Sequence, residues 1–163
     1  MISIFYIKVR QLFKKFIFFI FDDNSKIINI FVSFDIFLRH LGFLKDIHKG
    51  KFEYQSLTFY NAKNDIGIES SIITNDTYEP EVIKEIESTL YNGSTFIDGG
   101  ANIGFFSLIA SKIVGPTGRV IAFEPTPSTL NYLKKNININ KIKNITVNDK
   151  GLFSSEKQLP FLL

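Results

Sequence analysis

Residues 95–125 read TFIDGGANIGFFSLIASKIVGPTGRVIAFEP, and this stretch decides the fold. A short apolar strand, Thr95-Phe96-Ile97, ends at Asp98. The turn Gly99-Gly100-Ala101-Asn102-Ile103-Gly104 then opens a helix running to about Val114, where Gly115-Pro116 stops it. A second strand, Arg119 to Phe123, ends in the same way on an acid, Glu124-Pro125.

The pattern extends in both directions. Upstream, Glu79-Pro80-Glu81 with Val82, Ile83, Ile86 and Leu90 predicts a helix with Pro in its first turn, acids near its positive end and Asn92-Gly93 as its stop. Downstream, Thr126-Pro127 predicts an N-cap, and Leu130, Leu133 and Ile137 form a buried helical stripe. A third strand is expected from Asn144 to about Lys150. Short links joining strand, helix, strand, helix and strand imply a parallel, doubly wound α/β sheet.

In such a sheet, ligands sit beyond the carboxyl ends of the strands. Asp98 and Glu124 occupy two of those ends, with glycines at 100 and 104 where the backbone must pass close to a ligand. Asn102 tolerates positive φ better than other side chains do. A strand-end glutamate about 20 residues beyond a glycine turn can accept hydrogen bonds from both hydroxyls of a ribose. The run Asp98-x-Gly100-x-Asn102-x-Gly104 departs from the dinucleotide fingerprint, because an acid at the start of the turn is badly placed beside a diphosphate. It suits a cationic amino-acid tail, so the expected cofactor is S-adenosylmethionine. Each residue also has a plainer role: Asp98 as a strand terminator, Glu124-Pro125 as a turn, Asn102 as turn chemistry, and Glu79 as an acid at a helix start.

Residues 96–107 and 120–125, with Tyr78-Glu79-Pro80-Glu81 upstream and Asn136 and Asn140 downstream, resemble the FkbM family of methyltransferases. The resemblance covers about residues 76–163. It implies a Rossmann-like sheet of the class I methyltransferase type, O-methylation of a carbohydrate or other small-molecule acceptor, and a cofactor site of Asp98, Gly100, Ala101, Asn102, Gly104 and Glu124. Gly99 departs slightly from the family, which usually has a hydrophobic or small residue there. The family fold continues with further strands and an Asp-x-Glu-Gly-like segment that does not follow Asn144 here. The sheet is therefore expected to hold the first three strands, as in a truncated chain without turnover of its own. No catalytic residue is assigned.

Residues 1–75 are expected to form a separate N-terminal region. From about Ile4 to Phe21, Phe5, Val9, Leu12, Phe13, Phe16, Ile17 and Ile20 fall at helical spacing with Lys8, Lys14 and Lys15 on another face. This amphipathic helix packs on protein or makes peripheral membrane contact through residues 4–21; its unbroken apolar run is too short to span a bilayer. A second packed helix is expected over 27–44, and Phe52 to Thr74 reads as a small hairpin or meander. His40 and His48, with no acid cluster between them, predict no metal site.

With 163 residues, 45% of them hydrophobic, the chain has ample material for a core. The absence of Cys excludes disulfides, thiolate metal sites and a cysteine nucleophile, and fits a cytoplasmic location. The net charge is +3, and from Asp76 onward nine basic residues balance nine acidic ones, so no nucleic-acid partner is expected. Two other classes compete: a nicotinamide-dependent oxidoreductase fragment, and a non-catalytic membrane-surface or interaction module.

Overall fold

The computed structural model describes residues 50–61, 67–152 and 154–155. The expected helices over 4–21 and 27–44, and both histidines, lie outside the described residues. The chain divides into two compact units, 1–49 with 65–78 and 50–64 with 79–163.

The second unit opens with a hairpin. Strand β1 (Lys51–Tyr54) pairs antiparallel with β2 (Leu57–Tyr60), with Phe52 opposite Phe59. Its two-residue loop, Gln55-Ser56, has positive φ at both positions (46° and 63°), the backbone a tight hairpin turn requires. The Phe52 and Phe59 rings stack at 5.2 Å.

In the first unit, the described residues form helix α1 (Gly67–Asn75) where a further strand was expected. Ile68 and Ile72, read as strand residues, stand one helical turn apart and are both buried. Burial of that stripe prevails over the weak helix propensity of the β-branched residues. Asp76, at φ 59°, ends the helix with its N–H on the Ile72 carbonyl at 2.9 Å.

The second unit resumes with α2 (Pro80–Thr89), which starts at the expected proline and buries Ile83 and Ile86. Strands β3 (Thr95–Gly99), β4 (Arg119–Phe123) and β5 (Ile145–Asn148) form a parallel sheet in the order β3-β4-β5. Helix α3 (Phe105–Val114) connects the first two strands and α4 (Pro127–Ile139) connects the last two. The α/β class, the three parallel strands and the preceding hairpin are those expected from the sequence. One sheet face holds the core, with Val120 and Ala122 fully buried and Ala122 packed with Ala101, Leu130 and Leu133. On the opposite face Ile97 is 60% exposed.

Helix α3 is enclosed on nearly every side. Phe105, Ser107, Leu108, Ile109, Ala110, Ser111 and Val114 are all buried, as in a helix packed all round. The Tyr54 and Phe59 rings of the hairpin meet Phe105, its first residue, at 5.2 and 5.3 Å. At its other end, the Asn144 amide donates to the carbonyls of Ser111 and Gly115 at 3.1 and 2.8 Å, satisfying acceptors that the helix leaves open.

The buried stripe of α4 is more polar than expected. Asn136 is fully buried beside Leu133, whereas Ile137 is only half-buried. Asn140 accepts from the Thr58 N–H at 2.9 Å and donates to the Thr58 carbonyl at 2.7 Å. Asn136 does the same with Tyr60, at 2.7 and 3.0 Å. Four helical residues rise about 6 Å and two strand residues about 6.6 Å, so the two amides match alternate positions of the strand. They satisfy the free edge of β2 as a neighbouring strand would.

Candidate cofactor site at the strand ends

The glycine turn hangs from the end of β4. The N–H groups of Gly100 and Ala101 both donate to the Phe123 carbonyl at 2.9 Å, and Gly104 N–H closes the turn on the Ala101 carbonyl at 2.7 Å. Gly100, Asn102 and Gly104 all have positive φ (87°, 51° and 88°), as the spacing of glycines and asparagine predicts.

The two glycines that flank Asn102 serve different ends. At Gly104 φ is 88°, and an added Cβ would stand 2.5 Å from Leu133 Cδ1 and 2.9 Å from Leu108 Cδ1, so any other residue would be strained and would push both leucine side-chain ends aside. At Gly100 an added Cβ would meet nothing within 4 Å. That side of the turn is open, as a ligand cradle requires. The Ala101 side chain is buried in the core cluster, so only its backbone belongs to the turn.

Glu124 follows β4 directly and is 6% exposed. One carboxylate oxygen accepts the Asn102 N–H at 2.9 Å and the other accepts the Thr126 N–H at 2.8 Å. The acid thus joins the turn to the start of α4. A carboxylate has about four acceptor positions, so two remain after these bonds.

Asp98, on β3, is half-buried. Ser107, fully buried on α3, donates its hydroxyl to Oδ2 at 2.6 Å. Burial pushes the Asp98 carboxyl above its ordinary pKa; hydrogen bonds from the Ser107 hydroxyl and N–H pull it back, and the Glu124 charge adds to the rise. Ser107 stood within the quoted motif without an assigned role. A serine within the apolar run Phe105–Ala110 is the available signal, since a buried hydroxyl needs a partner. Glu79 is an exposed helix start at φ 44° without a side-chain cap bond, and Asp149, the acid that follows β5, is exposed.

The parallel sheet, its covering helices and the glycine turn at the strand ends define the class: a Rossmann-like domain of the S-adenosylmethionine-dependent methyltransferase type. Residues 73–156 match the TRM5/TYW2 methyltransferase domain, and the chain belongs to that family. The cofactor expected from the sequence, S-adenosylmethionine, is the cofactor of this class. Methyltransferase sdnD of Sordaria araneosa is 37% identical over 65 residues, 39% of this chain and 25% of that protein. The chain spans about a quarter of the length of the curated relatives it matches. A transferase structure from Pyrococcus horikoshii shares the fold, with a TM-score of 0.50 and 18% identity over 62% of this chain and 36% of that one. TYW2 of M. jannaschii, solved in complex with AdoMet, is 22% identical with a TM-score of 0.44, covering 60% of this chain and 41% of that one.

These matches correct one expectation. An rRNA methylase from Clostridium thermocellum is also similar, at 19% identity and a TM-score of 0.43 over 44% of this chain and 39% of that one. The TRM5/TYW2 family match removes the ground for excluding nucleic acid. The exclusion rested on balanced totals, which hide segregation along the chain. Asp76, Glu79, Glu81, Glu85 and Glu87 crowd into 76–87, whereas Lys134, Lys135, Lys141 and Lys143 lie together within 134–143, all exposed. Among the described residues no helix is long and apolar enough to cross a membrane.

Proposed function

We propose that the turn 98–104 and Glu124 hold S-adenosylmethionine for methyl transfer. In this reading Glu124 takes the two ribose hydroxyls on its remaining acceptor positions, the methionine portion runs along the open side of Gly100, and Asp98 faces the ammonium group. The observation that carries it is the Glu124 carboxylate: buried, oriented by one backbone N–H on each oxygen, and still able to accept two vicinal hydroxyls. A cation near Asp98 would also offset the cost of burying that charge.

For the acceptor, the resemblance of residues 96–107 and 120–125 to FkbM enzymes supports O-methylation of a carbohydrate or small metabolite. Membership of the TRM5/TYW2 domain family favours a second reading, an RNA acceptor. Calorimetric titration of the chain with S-adenosylhomocysteine and, separately, NAD tests the cofactor half. Binding of the first alone, lost in Glu124→Ala, is the expected result; NAD binding without S-adenosylhomocysteine binding would overturn it. Equilibrium binding of a carbohydrate panel and of structured RNA to the chain, which needs no turnover, distinguishes the acceptors.

A further inference from the structure

Resting on the cofactor reading above, we infer that Asn136 is a positioning residue for the cofactor turn, linking the docking of the β1–β2 hairpin to the shape of residues 100–104. Besides its two bonds to Tyr60, Asn136 donates to the Ile103 carbonyl at 2.8 Å. That carbonyl precedes the hydrogen-bond ladder of α3, whose first bond runs from Leu108 N–H to Gly104 at 2.9 Å. It therefore needs an acceptor's partner from elsewhere, and a fully buried amide supplies it. Ile103 sits between two left-handed residues, Asn102 and Gly104, a backbone that persists only where its surroundings hold it. Asn102 is also the residue whose N–H orients Glu124. One side chain thus bonds the hairpin edge and the turn that frames the ribose acid. Rings of Tyr54 and Phe59 against Phe105, the residue after Gly104, make a second link between the same parts.

Asn140 is a built-in control. It makes the same pair of bonds to Thr58 one turn away and continues to the Asn136 carbonyl at 2.8 Å, and none of these bonds reaches the glycine turn. Replacement by Asp keeps the acceptor oxygen of either residue and removes its donor. Amide hydrogen exchange on the ligand-free chain should then rise at least about ten-fold at Asn102 and Gly104 in Asn136→Asp, while Asn140→Asp raises exchange in β2 and leaves the turn within about two-fold. S-adenosylhomocysteine affinity should fall about ten-fold in Asn136→Asp and stay within about two-fold in Asn140→Asp. If Asn136→Asp does not fold, Asn136→Ser, which is neutral and too short to span both partners, replaces it in both arms. Unchanged exchange in the turn, or an equal rise in both variants, overturns the inference, as does unchanged affinity in Asn136→Asp. If the wild-type chain binds no S-adenosylhomocysteine, the cofactor reading falls and the exchange arm still decides the role of Asn136.

Discussion

Asp98 and Glu124 end adjacent parallel strands and are held in opposite ways. Glu124 is nearly inaccessible, and each of its oxygens takes a backbone N–H, from Asn102 and from Thr126. Asp98 keeps more contact with solvent, and among the described residues Ser107 alone meets its carboxylate. Its pKa is raised by its own burial and by the charge of Glu124. Backbone donors from two separate segments fix the two oxygens of Glu124, so it behaves as part of the frame, whereas both donors to Asp98 come from Ser107. Asp98 carries a charge whose burial its hydrogen bonds do not fully offset, and the ammonium contact proposed above would offset it.

The largest effect is expected where the frame itself is broken. In Glu124→Gln, one backbone N–H faces an amide nitrogen inside the protein, and a buried mismatched donor is expensive. Chemical denaturation should show a loss of about 2–4 kcal/mol, together with loss of S-adenosylhomocysteine binding. A stable variant would mean that the backbone bonds to Glu124 are incidental.

Asp98→Asn should have the opposite signature. The folded carboxyl has a raised pKa, so its penalty is absent below the unfolded value and develops as pH rises through the folded value. The variant should therefore melt higher than wild type at neutral pH, with the gain vanishing in acid. Its affinity for S-adenosylhomocysteine should fall about ten- to hundred-fold, the worth of a hydrogen bond to a charged group. Stability and binding moving together would place Asp98 with Glu124 as framework.

Much of this region was legible because it is local. Strand, acid, glycine turn and helix follow one another within 95–125, and each depends on neighbours a few residues away. What escaped was set by distant partners. The helix Gly67–Asn75 was read as strand because its isoleucines favour strands singly, whereas burial acts on the stripe they form together. Asn136 and Asn140 enter the sequence reading only through the family resemblance and Asn144 only as a strand start, yet the three recur every four residues and bond to the glycine turn, the hairpin edge and the end of α3. Spacing shows that Asn136 and Asn140 share one side of the end of α4; it does not show which backbone groups wait opposite.

A smaller test removes one strut of the frame without touching the acid. Thr126 has φ −79°, which proline also adopts, and as N-cap of α4 it makes no side-chain cap bond. Thr126→Pro then deletes little beyond the N–H held by Glu124. A loss of about 1 kcal/mol in chemical denaturation is expected, with binding altered less than three-fold, on the scale of a single hydrogen bond.

The smallest effect should fall on Ser107, and it bears most directly on the contrast. The Ser107 hydroxyl and N–H both lower the Asp98 pKa against the pull of burial; Ser107→Ala removes the hydroxyl bond and keeps the N–H, so that pKa should rise further. Asp98 would then protonate at a pH where the wild-type group stays charged. The pH midpoint of S-adenosylhomocysteine binding should move upward, with a loss of only about two- to five-fold on the alkaline side of that midpoint. Stability should fall slightly at neutral pH and converge with wild type in acid, because protonation removes the buried charge that Ser107 serves. A drop in affinity uniform across pH would assign Ser107 to packing of α3 alone, and the poise of Asp98 would then have to come from burial and Glu124 without it.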